Sequence, residues 1–229
     1  MFISIPTPAR STLRWATPAL FAVLWLAHLW ISVYPDGVRH DLLADWGTLS
    51  GGLAPGGLLH WSQGENWLRL LSALFLHADW AHLLGNLVFL LIFGLPAERA
   101  MGPWRFLILF LLGGAFANFI AALAIGAPDR LIIGASGAVS AIIGAYLALF
   151  PRARLGVVLP LGLFLEFVRA PASLLIGVWA LLQGVFAYIG PAFGAVAWAA
   201  HVGGFVFGAV FALASRQAIA RRLRKLQAY

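Results

Sequence analysis

The sequence predicts an all-α polytopic membrane protein, a six-transmembrane-helix bundle with both termini in the cytoplasm. Three observations carry that expectation. Of 229 residues, 62% are hydrophobic and only 10% charged, with a mean hydropathy of +0.92, well beyond the roughly half-apolar composition of a water-soluble domain. Six apolar stretches approach the ~20 residues needed to cross a bilayer. The basic residues, finally, gather on one side of the resulting topology.

The apolar stretches run from Ala16 to Tyr34, Ala81 to Leu95, Trp104 to Ile125, Ile132 to Phe150, Ala172 to Ile189 and Ala197 to Ala214. The second is short, and the apolar run from Trp67 to Leu76 leads into it, so its helix is expected to begin before Ala81. The stretch from Gly156 to Val168 is interrupted by Pro160 and carries Glu166, which suits an interfacial or re-entrant segment better than a crossing. The first span follows Arg10 and Arg14 like a signal peptide. Its long apolar core and the lack of a small-x-small cleavage site before Tyr34 favour a retained helix. The expected organisation is a cytoplasmic segment 1–15, a six-span body 16–215 with an outer loop at about 35–66, and a basic cytoplasmic tail 216–229.

With six spans the termini share a side. Twelve of the 15 Lys and Arg residues lie there: Arg10, Arg14, Arg99, Arg105, Arg152, Arg154, Arg169, Arg216, Arg221, Arg222, Arg224 and Lys225. Only Arg39, Arg69 and Arg130 lie opposite. The positive-inside rule then places both termini in the cytoplasm and accounts for the net charge of +7 without nucleic acid as a partner. The basic tail is in a position to touch anionic lipid, although a stop-transfer flank explains it as well. Cysteine is absent, which excludes disulfides, thiolate metal sites and a cysteine nucleophile.

The longest connection, Pro35 to about Gly64, holds Gly51, Gly52, Gly56 and Gly57 with Trp46, Trp61 and several leucines. That aromatic and apolar content argues against disorder and for a segment lying in the outer interface.

Polar groups inside a membrane are costly and mark candidate sites. His28, Asn118 and Gln183 have no polar neighbour at helical spacing and read as interhelical hydrogen-bonding residues. Three clusters differ. His82 and Asn86 are four apart at the start of the second span, on one helical face. Ser136 is flanked by Gly134 and Gly137 at the start of the fourth, which leaves its hydroxyl unshielded. His201 opens the sixth, followed by Gly203 and Gly204. All three spans run from outside to inside, so the clusters share one depth just below the outer surface. Gly137, Ala141 and Gly144 on one helix and Gly204 and Gly208 on the other follow the small-xxx-small pattern of tight membrane packing, which would bring the Ser136 hydroxyl to a ring nitrogen of His201. Serine needs such a base to become a nucleophile. The oxyanion formed by its attack needs donors, which His82, Asn86 and the Ser136 N–H can supply. No carboxylate lies in the sixth span, so the arrangement would be a serine–histidine dyad.

The combination of His82-x-x-x-Asn86, Gly134-Ala-Ser136-Gly137 and Ala200-His201-x-x-Gly204-x-x-x-Gly208 resembles the rhomboid intramembrane serine proteases, each element on the span and in the order that family requires. The likeness covers about Trp67 to Leu213. Trp67 and Arg69 look like the family's Trp-Arg feature, spaced here by one residue, Glu98-Arg99 followed by Gly102 is similar to its turn after the second span, and His77 matches a recurrent loop-anchoring histidine. The resemblance implies Ser136 as nucleophile, His201 as general base and then acid, and His82 with Asn86 as the oxyanion hole. It further implies cleavage of transmembrane protein substrates near their outer ends, without metal or cofactor. Some members place an aromatic ring four residues after the nucleophile to stack on the base. Here that position is Ser140, so His201 is expected to be held by neighbouring apolar side chains.

The outer loop and the fifth helix, with Gly177, Trp179 and Gly184, are expected to form a movable lateral entrance. The compact length and lack of a further soluble domain suggest a bacterial or archaeal inner membrane. Three alternatives are weighed against this reading. A metalloprotease needs ligands on one helical face, yet His77 and His82 stand about 140° apart with no Glu between them. A transporter needs polar groups along a route, whereas these gather at one depth. A rhomboid-like protein that only binds membrane clients would normally lack the serine or the histidine.

Overall fold

The computed structural model describes residues 14–49, 66–125, 130–161, 164–189 and 195–227, and it is mostly helical. In chain order the elements are α1 (Ala16–Ser32), α2 (Asp36–Trp46), β1 (Thr48–Leu49), α3 (Asn66–Ser72) with a 3-10 turn (Ala73–Phe75), α4 (Trp80–Phe89), a π turn (Leu90–Gly94), α5 (Leu95–Met101) and α6 (Pro103–Ala124). Then follow β2 (Leu131–Ile132), α7 (Ser136–Leu149), the strands β3 (Arg154–Leu161) and β4 (Phe164–Pro171), α8 (Ala172–Ile189), α9 (Ala195–Ala214) and α10 (Arg216–Gln227).

α7 is the axis of the molecule. Every residue from Gly137 to Tyr146 is buried, and α7 packs chiefly against α9 and α6. Phe106, Leu109 and Phe110 of α6 complete the core around it. The outward faces are apolar instead of charged: Leu26 of α1, Leu112 of α6, Leu181 of α8 and Val210 of α9 are each half or more exposed. His28, Asn118, Ser140 and His201 are buried inside. Polar groups within and large hydrophobic residues without is the arrangement that hydrocarbon solvates and water does not. Among the described residues, Trp80–Met101 and Pro103–Ala124 are long and apolar enough to cross a membrane, α9 with α10 forms a bent pair that passes the same test, and α1, α7 and α8 are shorter apolar helices.

The elements differ from the sequence expectation in informative places. The run from Trp67 to Leu76 does not lead continuously into the second span. It forms α3 and the 3-10 turn, and α4 starts afresh at Trp80, where the Asp79 carboxylate accepts the His82 N–H at 2.8 Å as an N-cap. The same span contains a π turn just before Pro96, whose missing N–H would otherwise leave the Ile92 carbonyl unpaired. The stretch from Gly156 to Val168 belongs to an antiparallel hairpin in which Arg154 pairs with Pro171 and Leu161 with Phe164. Part of the outer loop is the helix α2 and the strand β1, while Gly51, Gly52, Gly56, Gly57 and Trp61 lie outside the described residues, as does nearly all of the segment 1–15. The basic tail is the helix α10, bent 57° from α9. It lies on α5, with Ile219 buried and the Arg222 guanidinium over Gly102.

A buried carboxylate ties the first helix to this core. Glu98, 1% exposed, accepts the N–H groups of Ala16 at 2.9 Å and Thr17 at 2.8 Å. Both donors belong to the first turn of α1, which has no intrahelical partners for them and favours negative charge. Three residues beyond Arg99, Gly102 turns the chain at φ 87° into α6, a backbone angle that L side chains rarely adopt. Replacing Glu98 by Ala is expected to lower stability by about 2–4 kcal/mol, read as earlier thermal unfolding in detergent. Glu98→Gln, which keeps one acceptor, should lose less.

Candidate active site

Ser136 is the first residue of α7. The first hydrogen bond of that helix runs from the Val139 N–H to the Ala135 carbonyl at 2.9 Å, so the N–H groups of Ser136, Gly137 and Ala138 are left over by the helical ladder. They form a set of donors at the positive end of a helix dipole, beside the serine hydroxyl.

The loop before Ser136 is pinned at several points. The Gly134 N–H donates to the Ala73 carbonyl at 2.9 Å, and the Ala135 N–H donates to His77 Nε2 at 3.4 Å. β2, just upstream, pairs with β1 of the outer loop through Thr48 with Ile132 and Leu49 with Leu131. The Thr48 hydroxyl in turn donates to the Arg69 carbonyl at 2.8 Å, and Arg69 reaches back to the Ala44 carbonyl at 3.3 Å. His77 and Arg69 thus anchor the loops around the serine.

Gly134, at φ 117°, faces the His82 imidazole. A Cβ there would lie 2.6 Å from His82 Cε1 and Nε2. The Cε1–Nε2 edge of the ring therefore abuts the backbone two residues before Ser136, a position open only to glycine. Asn86, one helical turn further along α4, is buried and donates one amide hydrogen to the His82 carbonyl at 3.1 Å. Its second amide hydrogen is not used by that bond.

His201 arrives from the other side, and contact between backbones places it. A Cβ on Gly204 would strike the Gly137 carbonyl oxygen, one on Gly144 the Phe205 carbonyl oxygen, and one on Gly208 the Ala141 carbonyl oxygen. α7 and α9 therefore lie closer than any side chain at those positions would allow, and the Ala200 carbonyl oxygen is 3.9 Å from where a Gly137 Cβ would be. Ser136 and His201 are each the next residue along from this contact.

The structure thus gathers Ser136, His82, Asn86 and His201, with Gly134, Gly137, Gly204 and Gly208 making the approach possible. No hydrogen bond joins Ser136 to His201: Nε2 of the imidazole is buried without a partner among the described residues. Hydrogen bonds of this kind are commonly loose in an unliganded site. The histidine is also not held by apolar side chains alone. Its Nδ1 lies 3.0 Å from Gln183 Oε1, and its ring is 5.8 Å from that of Trp179. Gln183 is thus an interhelical hydrogen-bonding residue, as expected, and its partner is His201. Asn118 also behaves as expected, donating to the Leu70 carbonyl at 2.9 Å, whereas His28 packs edge-on against Trp80 at 4.5 Å.

Comparison with known proteins gives the family. The rhomboid domain family matches residues 64–218, more than half of the chain, and the protein belongs to that family. Mouse Rhomboid-related protein 2 is 30% identical over 149 residues, 62% of this chain and 48% of its own. Rhomboid-related protein 1 of Caenorhabditis elegans is 41% identical over 86 residues, 38% of this chain and 23% of its own. RHOMBOID-like protein 5 of Arabidopsis thaliana is 33% identical over 86 residues, 38% of this chain and 28% of its own. The chain spans less than half the length of these relatives.

The glycine contacts yield a paired prediction. Gly204→Ala drives a methyl into a backbone carbonyl and should cost about 1–3 kcal/mol. Gly177→Ala on α8, where nothing lies within 4 Å of the added Cβ, should leave thermal unfolding in detergent unchanged or raise its midpoint.

Proposed function

We propose that this protein is an intramembrane serine endopeptidase that hydrolyses peptide bonds in or near transmembrane segments of other membrane proteins, with Ser136 and His201 as a catalytic dyad. One observation carries the reading. The backbone contact of α7 with α9 sets a serine at a helix N-terminus and a buried histidine with a free Nε2 at the same level of the molecule.

In this mechanism Ser136 Oγ attacks the scissile carbonyl carbon while its proton passes to His201 Nε2. The oxyanion meets the leftover Ser136 N–H, the second amide hydrogen of Asn86 and the His82 ring, donors worth on the order of 3 kcal/mol each in a site poor in water. The tetrahedral intermediate collapses as the imidazolium gives its proton to the leaving amine. Water activated by the same imidazole then releases the acyl group and restores the serine.

Depth and access fit the same reading. Six apolar helices or helix groups, α1, α4 with α5, α6, α7, α8 and α9, correspond to the six expected spans, with both termini cytoplasmic and the site toward the outer face. α7 has 14 residues and is therefore about 21 Å long, some 10 Å short of a ~30 Å hydrocarbon core. Such a helix is tolerated because protein surrounds it, and Ser136 at its outer end is partly exposed. An apolar cavity of about 380 Å³ opens between the α4–π-turn segment and α8, lined by Phe89, Ile92, Ile143, Leu175 and Trp179 among others. We take this cavity as the lateral entrance for a substrate helix.

Ser136→Ala is expected to abolish cleavage of a transmembrane reporter in proteoliposomes while the protein unfolds at the wild-type temperature. Retained cleavage would remove the mechanism. A strong chelator should leave the rate unchanged, and liposomes containing the protein should show no solute flux. The entrance is testable because the chain has no cysteine. Cysteines introduced at Ile92 and Leu175 and joined by a bifunctional maleimide should stop turnover of helical substrates yet allow a small fluorophosphonate to label Ser136. Undiminished turnover would refute the entrance.

A further inference from the structure

Trp179 and Gln183 are four residues apart on α8, hence on one face, and both meet the His201 imidazole. Gln183 Oε1 stands 3.0 Å from Nδ1, and the Trp179 ring lies 5.8 Å away, tilted by 36°. Ser140 of α7, at the position where the family resemblance would put an aromatic ring on the base, is buried and donates its hydroxyl to the Ser136 carbonyl at 2.7 Å. α8 therefore supplies the support that α7 does not.

The chemistry of the contact is directional. A glutamine oxygen only accepts, so the bond requires a proton on Nδ1. A neutral imidazole protonated at Nδ1 is bare at Nε2, the nitrogen that is buried without a partner and that must take the serine proton. When that proton arrives the ring becomes a cation, and the carbonyl dipole of Gln183 already points its negative end at it.

We propose that Gln183 is a positioning residue for His201: it selects the Nδ1–H tautomer, fixes the ring together with Trp179, and stabilises the imidazolium formed during acyl transfer. The proposal rests on the serine–histidine reading above. Among the described residues, the titratable group facing His201 is the His82 imidazole on α4, and α7 and α8 present no ionisable side chain to it.

The test uses the full chain in proteoliposomes, with cleavage of a transmembrane reporter and the rate of fluorophosphonate labelling at Ser136 followed against pH. Gln183→Leu should lower kcat and the labelling rate about 10- to 100-fold with KM and the unfolding temperature unchanged. Gln183→Glu, which keeps an acceptor and adds charge, should recover most of the rate. It should also move the acid limb of the profile to higher pH, because a carboxylate at Nδ1 holds the imidazole protonated further up the scale. Wild-type rates in Gln183→Leu, with Ser136→Ala inactive alongside, would overturn the proposal and leave the dyad standing. Should Gln183→Leu not fold, an acid limb unmoved in Gln183→Glu would overturn it equally. A wild-type protein that neither cleaves nor labels would remove the serine reading and this inference with it.

Discussion

The rest of the molecule depends on one contact, the touching of the backbones of α7 and α9 at Gly137, Gly144, Gly204 and Gly208. In a membrane no hydrophobic drive brings two apolar helices together, so association relies on close packing. Glycines make that possible by removing the side chains that would hold the axes apart. The closeness also solves a positional problem. Ser136 and His201 are 65 positions apart in the chain, and nothing in the local structure of either helix aims one at the other. The register of the glycines does so, because each clash site pairs a specific glycine with a specific carbonyl, and a slip of α9 by one residue in either direction would put Phe205 or Phe207 where a glycine is needed.

Much of this was legible in the sequence, and the limits are instructive. The apolar stretches located α1, α6, α8 and α9 to within a few residues, because hydrocarbon imposes the same requirement on every position of a span. The boundaries failed where a polar residue acts locally: Asp79 caps α4 and breaks the run that begins at Trp67, and hydropathy does not see a cap. The hairpin of β3 and β4 failed for another reason. A run of Val, Leu and Phe is apolar in a strand and in a helix alike, so length and the interruption at Pro160 point to an interfacial or re-entrant segment without fixing its secondary structure. Gln183 was legible as an interhelical hydrogen-bonding residue, but periodicity along its own helix could not name its partner, which is on the next one. The signal that was available is the serine at position 140: a base that lacks its expected stacking ring needs support from somewhere, and a glutamine in an adjacent apolar helix is a conspicuous candidate.

α8 carries two duties that are separate in principle. It forms one wall of the lateral cavity, and it holds His201 through Gln183 and Trp179. Trp179 belongs to both, lining the cavity and facing the imidazole. α8 packs mainly on α9, with smaller contacts to α7 and β4. Under the proposed function, a substrate helix entering beside α8 would press on the element that holds the His201 ring.

That arrangement bears on the one bond the site does not make. Ser136 is fixed from the outer side by the Gly134 and Ala135 hydrogen bonds and by the strand pair of β1 with β2, and it opens a helix buried along most of its length. It has little room to move. His201 is fixed at its backbone by the glycine contacts, but its ring is steered by side chains from α8. Under the proposed mechanism, closing Oγ onto Nε2 falls to the imidazole, whose ring meets Gln183 and Trp179 of α8. If Ser136 and His201 act as proposed, the nucleophile is held by α7 and the loop before it, and the base by the helix that borders the apolar cavity.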